Sequence, residues 1–132
     1  FEPTGYKAPL VGREFHHGVL DCYALGRDYY RETLGIILPD FPREDEWWLK
    51  GQNLYLEHME EAGFVRVDPA TMRLHDGLLM QLASPTPNHA AVYIGDNLIL
   101  QHVMHRLSSR DVYGGWYRKC TVAVLRHRSL LE

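Results

Sequence analysis

Several features that would assign this chain to a common class are missing. Lys and Arg number 14 against 17 Asp and Glu, so the net charge is −3. Binding to nucleic-acid phosphates needs a basic surface, so we expect no nucleic-acid partner. No apolar run approaches the roughly 20 residues that cross a bilayer, which predicts no membrane insertion. The two cysteines, Cys22 and Cys120, are too few for a disulfide scaffold.

What is present is the composition of an ordinary globular domain. The 132 residues are 45% hydrophobic and 23% charged, without a low-complexity tract. This length suffices for a hydrophobic core, so residues 1–132 are expected to form one domain. Because the chain starts with Phe1 rather than Met, we also expect it to be excised from a longer protein.

The order of the predicted elements indicates the fold class. Helical spacing predicts one helix from the N-cap Asp21 to Gly35 and another over residues 44–62, which Gly63 ends. The later runs FVRV, LLMQL, HAAVYIG, NLILQHV and CTVAVLRH predict strands. Helices followed by strands with short connections predict an α+β domain, with N-terminal helices packed on a mostly antiparallel sheet of about five strands.

Cys22 lies at the first position of the first predicted helix. The first N–H groups of a helix have no internal partner and the helix dipole is positive there, so both favour a thiolate. Cys22 is therefore a candidate nucleophile. The alternative is a small buried apolar residue, since unpaired cysteines are among the most buried residue types.

A cysteine nucleophile needs a histidine base and a group that orients the imidazole. His89 opens an otherwise apolar strand, which indicates either a sheet edge or a functional cleft. A two-residue turn at Gly95-Asp96 would set His102 opposite His89. A three-residue loop, Gly95-Asp96-Asn97, would instead put Gln101 and Val103 on the face of His89. The apolar pattern leaves both alternatives open.

Two segments of the chain resemble one family. GREFHHGVLDCYAL resembles the Asp-Cys-x-x-Leu segment of the NlpC-type cysteine peptidases, papain-like hydrolases of bacterial cell-wall peptides. DGLLMQLASPTPNHAAVYIGDNLILQH resembles their second segment, with His-x-x-x-Tyr-x-Gly and a polar residue twelve positions after the His. The later stretch HRLSSRDVYGGWYRK resembles the C-terminal hydrolase domain of a tail-tip assembly protein of lambda-like siphophages.

The resemblance implies a papain-like fold and acyl transfer without a cofactor. Cys22 matches the nucleophile and His89 the base. Gln101 falls on the third polar position, where the family often has His, and His102 is the runner-up. The Cys22 thiolate would attack a peptide carbonyl, its backbone N–H would help hold the oxyanion, and His89 would protonate the leaving amine.

The implied substrate is a peptidoglycan stem peptide, cut between D-glutamate and diaminopimelate. The implied setting is a phage tail tip, made in the host cytoplasm, that acts with other tail-tip proteins at the cell wall in the periplasm to open it locally for DNA entry. Arg13, Arg106 and Arg110 are candidates for binding the substrate's carboxylates.

Two other interpretations compete with the peptidase. The departure at Gln101 favours a catalytically idle structural or binding module of the tail tip. A zinc centre of Cys22, His89 and His102 is the third interpretation. Neither Cys-x-x-Cys nor His-Glu-x-x-His spacing occurs, so no metal is expected.

Overall fold

The first helix begins where the capping pattern predicts. The computed structural model describes residues 10–15, 21–39, 54–82, 89–103 and 106–131. Helix α1 (Cys22–Tyr29) follows Asp21, whose carboxylate accepts a hydrogen bond from the Ala24 N–H at 3.1 Å. One π-helical turn (Tyr30–Leu34) continues α1 to Gly35, which has a φ of 69°. The predicted helix boundaries are confirmed at both ends.

The second predicted helix is described in its C-terminal part. Helix α2 spans Leu54–Glu61, and Gly63 follows it with a φ of 102°. Residues 44–53, the first half of that prediction, lie outside the described residues. Met59 on α2 is buried in the hydrophobic core. None of the helices in the described ranges is long and apolar enough to cross a membrane.

The strands of the described residues form a single antiparallel sheet in the order β1-β6-β2-β3-β4-β5. They are β1 (Phe64–Val67), β2 (Gly77–Met80), β3 (His89–Gly95), β4 (Leu98–Gln101), β5 (Ser109–Val112) and β6 (Thr121–His127). The α+β prediction is confirmed. The sheet has one strand more than expected, because β5 is a short and largely polar edge strand that gives little hydrophobic contrast.

A short helix, α3 (Gly115–Cys120), lies between β5 and β6. The sequence predicted only a turn at Gly114-Gly115. Gly115 does adopt a left-handed φ of 50°, and it begins a helix of six residues. Tyr117 and Cys120 of α3 pack against the sheet face that points away from α1.

Each face of the sheet has its own core. The helix-side core, under α1 and α2, includes Cys22, Leu25, Tyr30, Met59, Leu79, Val92, Leu100 and Leu125. The far-side core consists of Leu78, Met80, Ala91, Ile99, Tyr113 and Val124. Neighbouring residues such as Ala91 and Val92 therefore belong to opposite cores, as strand alternation requires. This alternation shows on which face each candidate side chain lies.

Candidate active site

The hairpin between β3 and β4 is closed by a tight turn. Asp96 and Asn97 have φ values of 52° and 60°, and Gly95 pairs with Leu98 across them. Two consecutive left-handed residues are typical of the type I′ turn, whose twist matches that of the strands. The turn is thus Asp96-Asn97, shifted by one residue from the predicted two-residue alternative.

An irregularity in β3 then changes the register. The pairing shifts between Tyr93 and Gly95, after which Ala91 pairs with Gln101. Because His89 lies two residues before Ala91, Gln101 shares a face with His89. This is the face assignment of the predicted three-residue loop, reached through a two-residue turn and a bulge.

The structure brings His89 and Gln101 into direct contact. The His89 Nε2 lies 3.0 Å from the Gln101 Oε1, and both residues are buried. An amide oxygen only accepts hydrogen bonds, so Nε2 must carry the hydrogen and donate it. In the neutral imidazole this leaves the Nδ1 lone pair as the basic site.

The environment of His89 keeps the imidazole neutral. Burial lowers its pKa from 6.5 to about 4, although the hydrogen bond with Gln101 raises it and nearby His102 lowers it further. The desolvation of a buried imidazolium outweighs the single hydrogen bond that favours it. At neutral pH the ring is therefore in the form that accepts a proton.

Cys22 lies near the first residues of β3, on the helix side of the sheet. The thiol residue is 7% exposed and lines a cavity of about 30 Å³ together with Ala90, the neighbour of His89. Helix α1 continues along the strand, since a Cβ on Gly26 would be 3.8 Å from Val92. By alternation with Ala91, His89 shares the face of the far-side core, where its ring is hydrogen-bonded to Gln101.

His102 occupies a different position from His89. It lies two residues beyond Leu100, and its ring is fully buried in edge-to-face contact with Phe15, 5.1 Å between centroids. Its Nε2 lies 2.9 Å from the Arg106 carbonyl oxygen and donates to it. Burial lowers the pKa of His102 as well. Its contacts join the segment 10–15 to the loop after β4.

The candidate substrate-binding arginines differ in exposure. Arg13 is 3% exposed, and its guanidinium forms an ion pair with Asp28 of α1 at 2.8 Å. This contact anchors the segment 10–15 to the helix that carries Cys22, a structural role that the sequence did not indicate. Arg106 and Arg110 are exposed, and Arg110 lines an open concavity of about 440 Å³ with Tyr29.

The three residues of the zinc hypothesis are not brought together. Within the described parts of the chain, no group of three or more His, Cys, Asp or Glu side chains is arranged to hold a metal ion. Cys22 packs in the helix-side core, whereas strand alternation with Ala91 assigns His89 to the opposite face.

Sequence reasoning missed two polar neighbours of Gln101. Gln101 Nε2 donates to an Asp111 carboxylate oxygen at 2.8 Å, and Ser109 Oγ donates to the same oxygen at 2.7 Å. The available signal was the period-two pattern of SRDV, in which Ser109 and Asp111 share a face.

This chain belongs to the NlpC/P60 family, whose model matches residues 12–126. The match contains Cys22, His89 and Gln101, and the α+β layout agrees with the papain-like fold of that family. The family assignment therefore rests on most of the chain rather than on a short motif.

Two curated relatives of this chain are phage tail proteins. The chain is 46% identical over 120 residues to the tail tip assembly protein K of Escherichia phage lambda, covering 91% of this chain and 60% of that protein. It is 32% identical over 131 residues to the tail tip assembly protein K of Escherichia phage N15, covering 98% of this chain and 53% of that protein. The chain thus spans little more than half the length of these relatives.

Proposed function

We propose that this chain is a cysteine peptidase that cleaves peptidoglycan stem peptides, with Cys22 as nucleophile, His89 as base and Gln101 as the residue that orients the imidazole. The observation that carries the proposal is the hydrogen bond between His89 and Gln101 in a member of the NlpC/P60 family. A neutral imidazole held by an amide oxygen is what a thiol nucleophile requires of its base.

The proposed reaction uses Nδ1 of His89, the ring nitrogen that carries no hydrogen. The thiol proton passes to Nδ1, and the sulfur attacks the peptide carbonyl. The Cys22 N–H at the start of α1 helps stabilise the oxyanion. The imidazolium then protonates the leaving amine, and water hydrolyses the thioester with His89 as base. The proposal requires the Cys22 thiol and Nδ1 to approach each other around the start of β3 when substrate binds, since such contacts commonly tighten in the substrate complex.

The proposed bond is the one between D-glutamate and diaminopimelate, and the proposed setting is local opening of the cell wall by a phage tail tip during DNA entry. The names of both relatives support a tail location and other tail-tip proteins as partners. Arg106 and Arg110 are exposed and remain the arginines proposed to bind substrate carboxylates. Arg13 stays a candidate for the same role, although its buried ion pair with Asp28 makes it less accessible than the other two.

A catalytically idle module of the tail tip is the second candidate. It is favoured by the names of the relatives, which refer to assembly, and by the packing of Cys22 on the helix side while His89 bonds to Gln101. In that case the thiol would serve the core as a small apolar group.

Digestion of purified peptidoglycan separates the two candidates. We expect the wild-type chain to release fragments with a new D-glutamate terminus, detected by mass spectrometry, and Cys22→Ser to release none. Cys120→Ser is the matched control, because the second cysteine lies on α3, and it should keep full activity. If all three proteins are inactive and iodoacetamide modifies Cys22 no faster than a peptide thiol, the peptidase proposal is wrong and the chain is a catalytically idle module.

A further inference from the structure

The hydrogen-bond chain that starts at His89 continues to the edge strand. Gln101 Oε1 accepts from His89, Gln101 Nε2 donates to Asp111 at 2.8 Å, and Ser109 adds a second donor to the same carboxylate oxygen. Strand pairing produces this alignment, since Gln101 is opposite Ser109 and Asp111 is two residues further along β5. The bonds from His89 to Gln101 and from Gln101 to Asp111 each join neighbouring strands, whereas the Ser109 bond lies within β5.

The chain has a fixed direction. An ionised carboxylate only accepts hydrogen bonds, so the NH₂ group of the Gln101 amide must face Asp111. The amide oxygen must then face His89, whose Nε2 must carry the hydrogen. Without an acceptor at position 111 the amide could rotate by 180° and present its NH₂ group to His89. Nε2 would then be the acceptor, and Nδ1 would carry the hydrogen.

We propose that Asp111 is a positioning residue: it fixes the orientation of the Gln101 amide and thereby holds His89 in the tautomer whose Nδ1 can accept a proton. Its significance for catalysis rests on the proposed function, because Nδ1 is the atom that would take the proton of the Cys22 thiol. Asp111 itself touches neither the thiol nor the imidazole. The Gln101 side chain is almost fully buried, which limits competition from solvent for the orientation of its amide.

The tautomer can be measured without any enzyme activity. Long-range ¹H–¹⁵N NMR spectra of the full chain distinguish the two neutral tautomers, and His89→Ala assigns the His89 signals. We expect the Nε2–H form in the wild type and in Asp111→Asn, whose amide oxygen still accepts from Gln101. We expect a mixture of tautomers in Asp111→Ala.

Asp111→Lys makes the sharpest test, because an ammonium group only donates. It should turn the Gln101 amide round and shift His89 to the Nδ1–H form, a reversal that a purely structural role would not produce. Ser109→Ala removes the neighbouring hydroxyl from the same strand and should leave the tautomer unchanged. If Asp111→Lys fails to fold, as judged by circular dichroism, Asp111→Ala still decides the question.

Retention of the Nε2–H form in folded Asp111→Ala would overturn the proposal, as would an equal shift in Ser109→Ala. The rate of Cys22 alkylation should fall about 10-fold in Asp111→Ala, the size of effect expected for a hydrogen bond that supports a charged group. A tautomer change without any change in alkylation would support the positioning role of Asp111 and contradict the proposed catalytic function.

Discussion

Two buried histidines, His89 at the start of β3 and His102 just after β4, have different partners. His89 bonds to the side chain of Gln101, whose amide is bonded in turn to Asp111. His102 bonds to the Arg106 backbone carbonyl and packs against Phe15. Both rings are buried and burial lowers the pKa of each, so neither burial nor the direction of the pKa shift distinguishes them.

The difference lies in what each partner network controls. The network around His89 determines which ring nitrogen carries the hydrogen and leaves the other nitrogen basic. The contacts of His102 hold two chain segments together. A histidine bonded to a side chain that is itself held in one orientation is a candidate base. A histidine bonded to a loop carbonyl is instead a candidate structural residue that joins chain segments.

The largest expected effect is on the proposed peptidase activity. His89→Ala should lower the rate of peptidoglycan hydrolysis by about 1,000-fold or more, the loss typical of removing a triad base. His102→Ala, corrected for the folded fraction, should stay within about 3-fold of wild type. Mass spectrometry of released stem peptides measures both. Loss of activity in folded His102→Ala with activity retained in His89→Ala would reverse the assignment of the two rings.

The second prediction concerns stability in acid. His89 has a folded pKa of about 4 against 6.5 for an ordinary histidine, so between these values the unfolded chain binds more protons. Stability therefore falls as pH drops from 6.5 towards 4, by about 3 kcal/mol from this residue alone.

His89→Gln removes this proton uptake, so the free energy of unfolding should fall less steeply as the pH is lowered. Urea unfolding at pH 7 and at pH 4.5 measures the difference. His75 and His127 also have lowered pKa values and will contribute to the same slope in both proteins. An unchanged slope in the variant would mean that His89 is already solvated in the folded chain.

The sequence predicted the parts of the site that depend on local chemistry. The N-cap pattern located Cys22 at the start of α1, because capping is determined by a few neighbouring residues. The alternation of NLILQHV limited the partner of His89 to two residues. The choice between them required the turn and the bulge, whose geometry depends on backbone dihedrals that the apolar pattern does not encode.

The sequence did not predict contacts made by polar groups across strands. Strand β5 has too few apolar residues for hydrophobic periodicity to reveal it. Neither its pairing register nor the position of Asp111 could therefore be predicted. Arg13 is buried in an ion pair with Asp28. Asp28 lies on α1, whereas Arg13 lies in the segment before that helix. Such ion pairs form only after the elements have packed, and hydrophobic periodicity carries no information about them.

The third prediction tests the structural role of His102. His102→Ala should lower the free energy of unfolding by about 2 kcal/mol, because it removes a buried ring and its hydrogen bond to Arg106. Urea denaturation at pH 7.5 measures the loss. His58→Ala on α2 is the control, since that half-buried ring should cost about 0.5 kcal/mol or less. Equal losses of unfolding free energy in both variants would mean that His102 stabilises the fold no more than an ordinary half-buried histidine does.

The smallest effect is expected at Gln101. Gln101→Leu keeps the volume of the side chain but removes the acceptor for His89 Nε2–H. The lost hydrogen bond lowers the pKa of His89 further and weakens the base, so hydrolysis should fall about 10-fold. Gln81→Leu, at a half-buried position beyond β2, is the matched control and should leave the rate unchanged. Since the His89 Nε2–H would lose its acceptor, its solvent exchange should also accelerate in Gln101→Leu alone. A slower hydrolysis without faster exchange would mean that Gln101 acts through packing rather than through the imidazole.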